Sequence, residues 1–149
     1  MEGMAAPSNF HRKRAEVVLP AYTHISGRLC VYCGQSAESK DHVPAVSTAW
    51  AFGTDYFRSH GIPLLVYPSC QECNATLGSY SRRFDLKGRA AYVYEKYRKK
   101  YARVMKQREW EDDELEELDY SLRSYIERSE IIRAWMERRF TFIEEIHEL

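Results

Sequence analysis

The stretch that decides the fold is Cys30-Val-Tyr-Cys33-Gly, together with its counterpart Cys70-Gln-Glu-Cys73-Asn farther along the chain. These are the only four cysteines, and both pairs have the Cys-x-x-Cys spacing that lets two sulfurs converge on one ion. Two such pairs complete the four-thiolate tetrahedron that zinc prefers and leave no coordination position open, so the predicted zinc is structural. The alternative is a set of four unrelated buried thiols, which the duplicated spacing disfavours.

Length and composition indicate one globular domain with a helical appendage. The chain has 149 residues, of which 44% are hydrophobic and 30% charged, and its net charge is zero. No apolar run approaches the roughly 20 residues that span a bilayer. Residues 1–14 contain no apolar stretch of the kind found in secretory signals. We therefore expect a cytoplasmic protein with no membrane partner, in which cysteines bind metal rather than form disulfides.

The charge is unevenly distributed along the chain, although it sums to zero. Residues 79–108 contain eleven Lys or Arg and two acids, a net charge of +9, whereas residues 109–119 contain eight acids and no base. A neutral protein can still present a cationic face, so this asymmetry predicts a nucleic-acid-binding surface. The alternative is that the two oppositely charged segments pair with each other.

Periodicity and turn residues predict an α+β fold with a largely helical C-terminal region. Extended segments are expected at residues 17–19, 40–44 and 64–67. Helices are expected within residues 47–59, from the second cysteine pair toward Gly78, over residues 88–110, and from Asp112 onward. Ser129 either caps a separate last helix or lies within one bent helix. The apolar positions expected to be buried in this last region form two stripes: Leu115, Leu118, Leu122, Tyr125 and Ile126, then Ile131, Ile132, Trp135, Met136, Phe142, Ile143 and Ile146.

Three residues near the cysteine pairs carry the groups that phosphodiester hydrolysis requires. Asp41 and Asn74 offer hard oxygen ligands that suit Mg²⁺ or Mn²⁺, and His42 is a general base that titrates near neutral pH. Neighbouring strand residues point to opposite faces, so Asp41 and His42 can reach one point only if the strand ends or bends there. Pro44 is a reason for it to do so.

The cysteine pairs and the residues between them form one pattern: Cys30-x-x-Cys33, Asp41-His42-Val43-Pro44, and Cys70-x-x-Cys73-Asn74-x-x-Leu77-Gly78. Over residues 28–80 this pattern resembles the HNH endonuclease family, and most of all its zinc-containing branch with recombination endonuclease VII. The helical tail resembles extensions of small phage-encoded members, which act in the host cytoplasm. The resemblance implies a ββα-metal core, a structural Zn²⁺ on the four cysteines, and a catalytic Mg²⁺ or Mn²⁺ on Asp41 and Asn74 with His42 as general base.

The resulting prediction is a metal-dependent DNA endonuclease or nickase that hydrolyses phosphodiester bonds. Residues 1–80 would form the zinc-bound HNH core with an N-terminal arm, and residues 81–149 a helical extension able to form a homodimer or bind a partner protein. Contacts to DNA phosphates, tolerant of sequence, are assigned to the cations that follow the motif: Arg82, Arg83, Lys87 and Arg89.

Two other functions stay open. Many HNH proteins carry an Asn shortly before the second cysteine pair, where this chain has Leu64-Leu-Val-Tyr67. This departure favours a zinc module on an HNH scaffold with weak or no catalysis, which would bind DNA or a partner protein as an inhibitor or packaging accessory. The third alternative is a zinc-ribbon RNA binder, which predicts no role for Asp41.

Overall fold

The computed structural model describes residues 27–45, 50–62, 64–78, 80 and 84–149. The extended segment predicted at residues 17–19 lies outside these residues, as do two of the predicted phosphate contacts, Arg82 and Arg83.

The N-terminal part of the described chain is a β-hairpin followed by a helix. Strand β1, Ser39–Val43, pairs antiparallel with strand β2, Leu65–Ser69, and Ser39 lies opposite Ser69. Helix α1, Thr54–Ser59, lies in the connection between the strands. Helix α2, Gln71–Leu77, begins directly after β2 because the Sγ of Cys70 accepts a hydrogen bond from the backbone N–H of Cys73 at 3.3 Å. The predicted mixed α and β structure is thus confirmed.

The rest of the described chain is helical. It contains α3, Leu86–Lys100; α4, Ala102–Met105; α5, Asp112–Glu116; and α6, Tyr120–His147. Helices α3 and α6 start where Asp85 and Asp119 accept hydrogen bonds from the first-turn N–H groups of Gly88 and Leu122. The helix predicted over residues 88–110 is divided at Tyr101. Ser129 lies inside α6 and donates to the carbonyl of Tyr125, so the last region is one helix.

The core joins the cysteine pairs to the long helices. Tyr32 and the four cysteines belong to one buried cluster with residues of α2, α3 and α6: Leu77, Ala90, Val93, Tyr97, Met136, Phe140 and Ile143. The core therefore contains residues from both predicted units, 1–80 and 81–149. None of the helices in the described ranges is both long and apolar enough to cross a membrane.

The first half of α6 keeps an apolar stripe that the fold does not bury. Tyr125 is 65% exposed and Ile131 is 68% exposed, and Leu122 and Ile132 are also exposed, as is Ile146 near the end of α6, so the prediction that they are buried is wrong. Helical periodicity identifies which residues share a face, but it does not tell whether another element covers that face. The predicted use of the C-terminal helices in a homodimer or partner contact stays a prediction.

Candidate metal centre and hairpin site

The four cysteines form a compact cluster of buried sulfurs. All four Sγ atoms lie within 4.8 Å of one another, and the Sγ atoms of Cys33 and Cys70 are 3.6 Å apart. No disulfide joins them. Four sulfurs bonded to one zinc ion at about 2.3 Å are separated by about 3.8 Å at the corners of a tetrahedron. The donor type and the spacing therefore fit a structural metal such as zinc, as the cysteine spacing predicted.

Hydrogen bonds among the crowded sulfurs shift the pKa values of the four cysteines in opposite directions. The hydrogen bond with Cys30 lowers the pKa of Cys33 to about 7, and it raises the pKa of Cys30 above the usual range. The pKa of Cys70 is likewise lowered, whereas that of Cys73 is raised, in each case mainly by the hydrogen bond with Cys30. Neighbouring sulfurs thus share protons in the absence of a metal, and a divalent cation would supply the attraction that four thiolates need.

Two residues from the long helices reach these sulfurs. Arg139 of α6 is 1% exposed, and its Nη2 lies 3.5 Å from the Sγ atoms of Cys33 and Cys70. The hydroxyl of Tyr97, on α3, lies 2.9 Å from the Sγ of Cys73 and accepts a hydrogen bond from Arg139 Nη2 at 2.9 Å. Although burial lowers the pKa of Arg139, the Cys33 thiolate raises it above its usual value, so the guanidinium is charged.

Asp41 forms a buried ion pair with Arg89 of α3. Asp41 is 2% exposed and Arg89 is 1% exposed. Arg89 Nη2 donates to both carboxylate oxygens of Asp41, at 3.2 and 3.0 Å. The Tyr32 hydroxyl also donates to Asp41 and accepts from Arg89 Nε at 3.1 Å. Arg89 therefore does not contribute to an exposed phosphate-binding surface, and the prediction that it does is wrong. A guanidinium at the carboxylate also opposes a second cation at the same point.

Asn74 and His42 lie on opposite sides of β1. The Nδ2 of Asn74 donates to the Oγ of Ser39 at 3.2 Å and to the carbonyl of Lys40 at 3.3 Å. Strand β1 is paired through Val43, so Ser39 and Asp41 share one face while His42 points to the other. Strand alternation thus puts Asp41 and the Ser39 contact of Asn74 on one face of β1, and His42 on the other face. Their assignment to a catalytic metal and its general base stays a prediction.

Four exposed cations within the basic segment lie along one side of α3 and α4, beyond the four residues that were predicted to contact phosphates. Lys96, Lys99, Arg103 and Lys106 are exposed, and their spacing of three, four and three residues puts them on successive turns. Among the described residues, none of the eight acids in residues 109–119 forms an ion pair with any of these four. The acidic segment is joined to the basic one through Arg108, which pairs with Glu114 at 2.8 Å. We call these four residues the basic face.

No protein-family model, curated protein or solved structure matches this chain. The resemblance to HNH endonucleases consequently depends on the motif residues alone, and it stays a prediction.

The residues around the sulfurs and around Asp41 were not identified from the sequence. The sequence does contain a pattern from which Arg139 could have been identified. It lies at helical spacing among Met136, Phe140 and Ile143, which form a buried apolar stripe. A charged residue in such a stripe indicates a buried counter-charge. Tyr32 lies inside the first cysteine pair, but nothing in the local sequence relates it to Asp41.

Proposed function

We propose that this protein is a zinc-stabilised module that binds nucleic acid through the basic face. The observation that carries the proposal is the exposure of four cations on successive turns, without neutralisation by the neighbouring acidic segment. Lys99 has an ion pair with Glu95 on its own helix, but both side chains are exposed and such pairs contribute little. A row of cations at this spacing attracts the phosphate backbone independently of sequence.

An aromatic pair adjoins the basic face. The rings of Tyr80 and Tyr92 are stacked with their centroids 4.1 Å apart, and Lys96 Nζ lies 5.3 Å from the centroid of Tyr92. Both tyrosines are half-buried, so each presents only part of its ring. Proteins that bind single strands combine a cationic groove with aromatic rings on which bases stack. A base would have to stack on an outer face of this pair, because the facing sides of the two rings cover each other.

Fluorescence anisotropy with labelled single-stranded and duplex oligonucleotides tests the proposal. Four phosphate contacts predict a slope of about −2.8 for log K against log salt with single strands, and about −3.6 with duplex DNA. Lys96→Gln/Arg103→Gln should weaken binding and reduce the single-strand slope by about 1.4. The control, Arg128→Gln/Arg138→Gln, removes the same charge from exposed positions on α6. Equal loss in both double variants, or no binding at low salt, would contradict the proposal.

Hydrolysis of phosphodiester bonds by an HNH mechanism is the second candidate. It is favoured by the position of Asn74, whose amide is held against β1 on the same side as Asp41. In this mechanism Asp41 and Asn74 would hold Mg²⁺ or Mn²⁺, which would supply Lewis-acid stabilisation of the leaving oxygen, and His42 would accept a proton from water. Arg89 would first have to leave the Asp41 carboxylate, and β1 would have to bend so that His42 reaches the same face as Asp41.

A plasmid-nicking assay with Mg²⁺ and Mn²⁺ separates the two candidates. Metal-dependent nicking that is lost in His42→Ala, in a variant that stays folded by circular dichroism, would establish the nuclease. Intact plasmid with either ion, in a preparation that binds DNA through the basic face, would leave the binding module as the function. The exposed His60 provides the matched control, because His60→Ala removes an imidazole outside β1.

A further inference from the structure

Arg139 is a buried charged side chain that contacts the sulfurs of the cysteine cluster. Its Nη2 lies within 3.5 Å of two Sγ atoms and 3.9 Å of a third, that of Cys73. Its Nη1 donates to Glu72, and its guanidinium carbon lies 4.5 Å and 4.6 Å from the ring centroids of Tyr97 and Trp135. Within the described part of the chain its Nε is buried and has no hydrogen-bond partner. The side chain is therefore oriented with its terminal nitrogens toward the cysteine sulfurs and the Glu72 carboxylate.

The charge of the centre explains why a guanidinium belongs there. Four thiolates around a divalent cation carry a net charge of −2, and a buried net charge is costly unless it is paired and hydrogen-bonded. Arg139 supplies N–H donors to the sulfurs and one positive charge, which it shares with the Glu72 carboxylate that Lys100 also pairs with, and Tyr97 adds an O–H group. We propose that Arg139 is the counter-cation of the metal centre and that it links metal binding to the docking of α6. This inference is independent of the proposed function.

Three other contacts place the second half of α6 on the first cysteine pair. Trp135 Nε1 donates to the Oε1 of Gln35 at 2.8 Å, and the Nε2 of His147 lies 2.8 Å from the carbonyl of Val31. The ring of Phe142 lies against Gly34, where a Cβ would be 2.5 Å from it. All three contacts are made to residues that lie within the first cysteine pair or directly after it. Coupling between two binding events is reciprocal, so an undocked α6 weakens metal binding and metal removal weakens docking.

Metal affinity of three variants tests the role of Arg139. Competition with a chromophoric chelator should show that Arg139→Gln weakens Zn²⁺ binding about 10- to 100-fold, the range for residues that contact metal ligands. Arg139→Lys keeps the positive charge but loses the planar guanidinium group. Its Zn²⁺ affinity should therefore lie between those of Arg139→Gln and the wild type. Arg138→Gln, which removes the exposed neighbouring cation, should bind as the wild type does.

Two further measurements distinguish this role from general loss of structure. In the Co²⁺-substituted protein, the thiolate-to-metal charge-transfer band reports the sulfurs directly, and Arg139→Gln should shift it whereas Arg138→Gln should not. In the wild type, chelation of the metal should accelerate hydrogen exchange in residues 135–147 more than in residues 120–131. If Arg139→Gln does not fold, Tyr97→Phe replaces it, because this variant removes one O–H group at Cys73 and keeps the ring.

The inference fails on any of three results. The first is Zn²⁺ affinity in Arg139→Gln within twofold of the wild type. The second is an equal loss in Arg138→Gln, which would indicate a diffuse effect of charge. The third is hydrogen exchange in residues 135–147 that does not respond to metal removal. Should Tyr97→Phe be the variant that folds, unchanged affinity together with an unchanged charge-transfer band overturns the inference equally.

Discussion

Breaking the Asp41–Arg89 ion pair should destabilise the protein strongly, because both partners are buried. Removing one partner of a buried pair leaves the other charge uncompensated and costs about 3–5 kcal/mol. In Asp41→Asn the charge left behind is a guanidinium that is 1% exposed and that has the Tyr32 hydroxyl and the Tyr80 carbonyl among its other hydrogen-bond partners. The expected loss is a large part of the roughly 5–15 kcal/mol by which domains of this size are stable.

A double-mutant cycle measures the pair itself. Asp41→Asn and Arg89→Met should each cost about 3–5 kcal/mol, whereas the double variant should cost less than their sum by about 2–3 kcal/mol, because it leaves no uncompensated charge. Urea denaturation at saturating Zn²⁺ gives the free energies of unfolding. Lys99→Gln is the control, because it breaks an exposed ion pair with Glu95 and should cost at most about 0.5 kcal/mol.

Two results would refute the reasoning about Asp41. A cost below about 1 kcal/mol for Asp41→Asn would show that the carboxylate does not depend on its partner. An increase in stability would indicate a carboxylate retained at the expense of folding, which is the behaviour of a functional metal ligand rather than a structural one. The stability measurement therefore bears on the nuclease candidate as well as on the fold.

Three further predictions follow from the same contacts. Chelation of the metal should lower the melting temperature of the whole chain, because the cysteines share their core with α3 and α6, and an unchanged melting curve by circular dichroism would contradict this. Gly34→Ala should cost about 1–3 kcal/mol, since φ is +79° and the new Cβ meets Phe142, whereas Gly61→Ala, at φ +68° in open space, should cost less in thermal melts. Burial and the Asp41 carboxylate raise the pKa of Tyr32 above its usual value, so its contribution to stability is complete below about pH 10 and falls by about 1.4 kcal/mol per pH unit above it. Tyr32→Phe should flatten that alkaline decline in urea titrations, and an identical slope in both proteins would disprove the assignment.

The local features of the sequence predicted the elements around the site. The strands near residues 40–44 and 64–67, the helix after the second cysteine pair and the start near Asp112 are all present. The four-cysteine cluster was also predictable, because two sulfurs at the Cys-x-x-Cys spacing converge regardless of the surrounding fold. Periodicity was less informative for α6. Tyr125 and Ile131 are apolar residues at helical spacing, as buried residues are, but both are exposed.

What the sequence by itself determined, then, is a four-thiol centre between a hairpin and a helix, since these features depend on spacing over a few residues. Only the tertiary structure decided which charges meet. Asp41 is followed 48 residues later by Arg89, and Cys73 is followed 66 residues later by Arg139. No local pattern relates such distant residues, because their contact depends on how α3 and α6 pack on the hairpin. The same packing gives Asp41 a structural partner and gives the metal centre its cation.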